Sequence, residues 1–105
     1  MLGQHHQFHH YNPGKSEFGE KRYFEISIKI YKELNDRLLL SRFLSGSEYT
    51  IADIATFPWI ARHEWHDIGL KRYKHLTRWY EEISSREAVK KGYDLLKKGE
   101  QIPKP

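Results

Sequence analysis

Between Ser16 and Leu40 the residues Tyr23, Ser27, Ile30, Tyr31, Leu34 and Leu38 recur every three or four positions, with Lys29, Lys32, Glu33 and Asp36 between them. That period is one face of an α-helix and predicts a long amphipathic helix. Ser45-Gly46-Ser47 interrupts it, and Thr50-Ile51-Ala52-Asp53 follows with the spacing of an N-terminal capping box, Asp standing where Glu is commoner. Tyr49 and Ile54 flank this cap as candidates for a hydrophobic staple. The run behind it (Ile51, Ala52, Ile54, Ala55, Phe57, Trp59, Ile60) is apolar on nearly every side. It predicts a central core helix enclosed by the others, kinked at Pro58 and ended by Asp67-Ile68-Gly69.

Tyr73, Leu76, Trp79, Tyr80 and Ile83 outline another amphipathic helix, and Ser84-Ser85 before Arg86-Glu87-Ala88-Val89 reads as the cap of a last helix through Leu95-Leu96. At the other end, residues 1–14 read as a partial first helix and loop, broken by Asn12-Pro13-Gly14. Residues 99–105, ending Ile102-Pro103-Lys104-Pro105, read as a frayed tail. Only Ile26 to Ile30 alternates with period two, and it lies inside the stronger helical pattern. The expected fold is therefore all-α, a bundle of four or five helices around the 51–60 segment, in one domain spanning 1–105.

Composition narrows the chemistry. A length of 105 residues suits one core, and 3 Trp, 7 Tyr and 5 Phe supply large buried area in an otherwise polar chain. The absence of cysteine excludes disulfides, thiolate metal sites and cysteine nucleophiles from these residues. No stretch approaches the roughly 20 apolar residues that cross a bilayer, and the N-terminus lacks a signal-like apolar core, so a soluble cytoplasmic protein without membrane partners is expected. The formal charge is +4, but Lys and Arg alternate with Asp and Glu along most of the chain. That pattern favours a solvated basic surface over a nucleic-acid site.

Ser45-Gly46, Tyr49-Thr50-Ile51-Ala52-Asp53-Ile54-Ala55 and Pro58-Trp59 together resemble the capping-box core helix of the glutathione S-transferase C-terminal domain. Met1-Leu2-Gly3-Gln4 with its histidines, Glu20-Lys21-Arg22-Tyr23, and Leu76 to Trp79 leading into Ser85-Arg86-Glu87-Ala88-Val89 match in the same order. They are most similar to the bacterial nu-class and Ure2-like branch of disulfide-bond oxidoreductases. Glu87 departs from that pattern, where proline is usual at the first helical position.

The resemblance implies glutathione as co-substrate and, as partner, the family's thioredoxin-like domain, in which the thiol is activated. That domain lies outside these residues, and Met1 matches an interior position of the family's first C-terminal-domain helix. The expectation is a partial chain with little activity alone and no catalytic residue. Arg22 matches a basic residue that reaches the glutathione carboxylates, and its planar guanidinium suits them; the rival reading is an exposed Arg paired with Glu20 or Glu25. Gln4, Phe8 and Tyr11 would line the cleft between domains, Gln4 as a second glutathione-binding residue beside Arg22 and Phe8 and Tyr11 on the substrate side. Thr50 and Asp53 are the structural cap.

His5, His6, His9 and His10 form HHxxHH, whose helical spacing would bring two imidazoles within reach of Zn²⁺. No carboxylate stands nearby in sequence, so a polar cleft edge is the preferred reading over a metal site. His63-Glu64-Trp65-His66 has its histidines three apart, whereas the zincin motif needs four. The alternative function is a non-catalytic helical interaction module. Homodimerisation is also compatible, since a missing partner domain would leave apolar surface bare.

Overall fold

A computed structural model describes residues 2–94 and 101–105. Its order is α1 (Leu2–His5), a π-helical stretch (His6–Tyr11), α2 (Glu17–Leu40), α3 (Ile51–Ile60), α4 (His63–His66), a 3₁₀ turn (Leu70–Arg72), α5 (Lys74–Ser84) and α6 (Glu87–Asp94). The domain is all-helical, and among the described residues no helix is long and apolar enough to cross a membrane.

α2 begins where Ser16 Oγ accepts from the Gly19 amide at 3.1 Å, with Glu17 and Glu20 in its positively polarised first turn. It packs lengthwise on α5. Leu76, Trp79, Tyr80 and Ile83 follow the i, i+3, i+4, i+7 spacing, and all four are fully buried. Against them lie Tyr31, Leu38, Phe57 and Ile60, with the Phe57 and Tyr80 rings stacked 5.0 Å apart. The most deeply packed face therefore belongs to α5, whose opposite side keeps Lys74 and Glu81 in solvent.

The expectation for the 51–60 segment is corrected accordingly. α3 buries only Asp53, Phe57 and Ile60, while Ile51 is 80% exposed, Ile54 53% and Trp59 48%. Its second apolar face has no cover among the described residues. Nor is Pro58 a mid-helix kink: α3 ends two residues later, Arg62 N turning back to Trp59 O at 3.2 Å, and α4 starts afresh at His63. Asp67, in the left-handed region at φ 56, and Gly69, at φ 93, close α4 at the predicted place.

Three smaller expectations also change. Ser84 and Ser85 do not open α6; their hydroxyls donate to Glu81 O and Glu82 O and close α5. Tyr49 turns toward Phe43 and lies under the Arg86 guanidinium at 3.8 Å, leaving its staple partner Ile54 in solvent. Residues 101–105, expected to fray, lie on the core, because the buried Tyr80 hydroxyl needs an acceptor and donates to Pro103 O at 2.5 Å, and Ile102 packs beside it. Leu95, Leu96 and residues 99 and 100 fall outside the described residues.

Helix ends are joined across the fold. Asn35 Oδ1, on α2, accepts from the amides of His75 at 2.9 Å and Leu76 at 3.0 Å, capping α5 from 40 positions away. Arg78, on α5, returns the favour by donating to Leu38 O and Ser41 O at the end of α2 and to Arg42 O beyond it. Replacing Asn35 by alanine leaves two amides of α5 without an acceptor, and a loss of about 1–2 kcal/mol is expected. A thermal melt of Asn35→Ala checks it; an unchanged midpoint would mean that water substitutes for the side chain.

Candidate functional site

The N-terminal segment, α1 and its π-helical continuation, lies against α2 and α4 and is fastened there by histidines. His5 Nε2 donates to His66 O at 2.6 Å, and His6 Nε2 meets His66 Nε2 at 2.6 Å. On its other side His66 Nδ1 is 2.5 Å from the Tyr31 hydroxyl. His9 bridges two elements, Nδ1 to Glu20 Oε1 at 3.3 Å and Nε2 to Asp67 Oδ2 at 3.5 Å. His10 stacks on Trp65, the ring centres 4.0 Å apart.

The central group of this cluster is neutral near pH 7. Burial, followed by the neighbouring His6 and His5, drives His66 down to about 3. Burial is also the largest cause that lowers His5 and His6, and it pushes the Tyr31 hydroxyl up, so that Tyr31 keeps its proton. Two neutral imidazoles with nitrogens 2.6 Å apart share one proton. Two ligands on a tetrahedral Zn²⁺ with Zn–N of about 2.05 Å would stand about 3.3 Å apart. Among the described residues no three His, Asp or Glu side chains converge as a metal set.

Beside this cluster runs an aromatic wall. Trp65 lies between the His10 ring and the Arg62 guanidinium, the latter 4.3 Å from its centre, with Tyr11 edge-on at 5.5 Å. His6 continues the wall to Trp59 at 5.9 Å. Tyr11 thus stands on an exposed aromatic surface. Phe8 does not: it stacks on Tyr23 at 5.6 Å and covers Gly19, where a Cβ would come within 3.1 Å of its ring. Gln4 and Arg22 are exposed, and among the described residues neither makes a hydrogen bond or ion pair. Glu20, one rival partner of Arg22, is engaged by His9 and by the Gly14 amide. A separate groove of about 830 Å³ beside Lys71, Lys90, Lys91 and the tail gathers none of the sequence-predicted site residues.

Asp53 is fully buried and accepts three hydrogen bonds: Leu44 N and Thr50 N, each at 3.0 Å, and the Trp79 indole N–H at 2.8 Å. With Thr50 Oγ accepting from Ala52 N, the capping box is complete. It orients α3 against α5 and so places Trp59 at the edge of the wall. Residues 14–87, which include this box, match the family model described as "Glutathione S-transferase, C-terminal domain". The chain belongs to that family.

Two relatives in Escherichia coli K12 are similar along most of the chain. It is 40% identical to the disulfide-bond oxidoreductase YfcG over 97 residues, 92% of this chain and 44% of that protein. It is 36% identical to the disulfide-bond oxidoreductase YghU over 94 residues, 81% of this chain and 32% of that protein. A glutathione S-transferase domain-containing protein of Dictyostelium discoideum is 29% identical over 101 residues. The chain spans less than half the length of these relatives. Arg62, Trp65, His66 and Tyr31 are members of this candidate site that sequence reasoning missed. Trp65 and His66 were visible in the HEWH run, but weighed only against a zinc motif.

Proposed function

We propose that this domain forms the substrate-facing wall of a glutathione-dependent disulfide-bond oxidoreductase and is completed by a thioredoxin-like domain that binds and activates glutathione. The observation that carries this reading is the exposed aromatic surface of Tyr11, His10 and Trp59 around the half-buried Trp65, continuous in α3 with the bare apolar residues Ile51 and Ile54. Apolar surface of this kind is characteristic of a face that a partner covers, and an aromatic wall suits a disulfide or an apolar electrophile. Arg22 supports it from α2, since an exposed guanidinium without an internal partner is free to take a carboxylate.

Calorimetry with glutathione and glutathione disulfide tests the half-site. Arg22→Ala is expected to weaken binding at least tenfold, about 1.4 kcal/mol, without moving the thermal midpoint. Equal affinity in both proteins would remove Arg22 from the site. The bare α3 face also favours a second reading, a non-catalytic docking module. Absence of binding to either glutathione form, together with no gain in disulfide reduction on adding a separately produced thioredoxin-like domain, would decide for it.

A further inference from the structure

We propose that His5, His6 and His66, with Tyr31, form a proton-operated clasp that holds residues 2–11 on α2 and α4 at neutral pH and releases them on acidification. The inference is independent of glutathione binding. It starts from how few protons the cluster can hold. Tyr31 and His6 occupy the two ring nitrogens of His66. When the Tyr31 hydroxyl donates to Nδ1, His66 Nε2–H donates to His6; in the other tautomer both bonds reverse. Either arrangement has one proton between the two Nε2 atoms.

One added proton leaves a single N–H in that gap but buries a cation. A second sets N–H against N–H at 2.6 Å and breaks the contact. His5 is restricted in the same way. Its Nε2–H is spent on His66 O, and its Nδ1 is buried with no hydrogen-bond partner, so protonating it would bury a donor without an acceptor.

The surroundings do little to offset this. From the segment itself His9 and His10 face the cluster; from α2, Glu20 and Tyr31; from α4 and its flanks, Arg62, His63, Glu64 and Asp67, with Tyr73 beyond Tyr31. The carboxylates of Glu20 and Asp67 are held at His9 on the rim, and no carboxylate bonds His5, His6 or His66. Release returns His5 and His6 to water and uncovers one side of His66, whose proton affinity rises toward its ordinary value of 6.5 while Tyr31 still faces Nδ1. Each histidine kept neutral in the closed state then favours opening by up to about tenfold per pH unit below that value, at most about thirtyfold for His66 alone at pH 5. Release takes His6 off Trp59 and His10 and Tyr11 off Trp65, and so dismantles the aromatic wall.

The chain has no cysteine, so two introduced ones carry nitroxides uniquely. The exposed pair Gln7→Cys and Lys74→Cys reports the segment against α5, and Glu33→Cys with Lys74→Cys reports α2 against α5. Pulsed electron–electron resonance in buffer with EDTA is expected to give one narrow Gln7–Lys74 distance at pH 7.5 and a longer, broader population by pH 5, with the Glu33–Lys74 distance unchanged. His66→Gln, whose amide can bond to both neighbours without charging, is expected to lower the transition by at least one pH unit. His6→Gln gives the same reading if His66→Gln does not fold. A Gln7–Lys74 distance constant to pH 4.5, lengthening shared by both pairs, or a transition that the glutamine variants leave in place would overturn the clasp.

Discussion

Replacing Asp53 by alanine is expected to lower the unfolding free energy by about 4 kcal/mol. The change removes a helix cap, normally about 0.5–2 kcal/mol, and strands two further donors, Leu44 N and the buried indole N–H of Trp79. Hydrogen bonds to a charged group contribute about 1.5–3 kcal/mol each, and a buried donor left alone costs about 1–3 kcal/mol. A domain of this size has about 5–15 kcal/mol in total, so the loss corresponds to roughly 15–30 °C in Tm. Thr50→Ala removes only the half-buried hydroxyl side of the box and is expected to cost about 1 kcal/mol. Urea melts of the two variants check the ranking. Equal midpoints would show that the tie between α3 and α5 rests on the apolar contact of Phe57 with Trp79 and Tyr80, and not on the carboxylate.

The second large effect is a loss of stability in mild acid. His66 is held well below its ordinary value of 6.5 in the folded chain, and His5, His6 and His63 are lowered in the same direction. Below pH 6.5 the unfolded chain therefore binds protons that the folded one refuses, and stability falls as pH falls. His66 alone contributes about 1–2 kcal/mol of loss between pH 6.5 and 5. Chemical melts at pH 7.5, 6.5, 5.5 and 5 measure the slope. It is expected to flatten once the N-terminal segment lets go, because the opened native chain then takes up the same protons. In His66→Gln the slope should shrink; a slope equal to that of the parent would place the destabilising protons on other groups.

How far the sequence could be read depended on the distance over which each interaction acts. The helices from Glu17 to Leu40 and from Lys74 to Ser84 follow from apolar period alone, and the Thr50–Asp53 box from spacing within one turn. The all-α fold and the family membership were legible from the same features. Enclosure of α3 was not, because an apolar helix shows that it needs cover without showing whether the neighbouring residues provide it; Ile51, Ile54 and Trp59 do not receive it here. The four N-terminal histidines could be seen, but His66, the partner of His5 and His6, lies about 60 positions away. No local pattern pairs them. Phe8 and Tyr11, three apart, were assigned to one cleft, and the π-helical turn that holds them sends one to Tyr23 and the other to Trp65.

The cap that Asn35 provides for α5 also bears on the order in which the chain folds. An isolated helix of eleven residues is marginal in water, and α5 has no side-chain cap of its own at Tyr73. Its first amides find their acceptor only after α2 has formed and docked alongside. α2 is synthesised first, 24 residues long with its own Ser16 cap, and serves as the template on which α5 nucleates. Asn35 should then have a φ-value near that of the Leu38 and Leu76 contacts, well above zero, so that its loss slows folding more than it speeds unfolding.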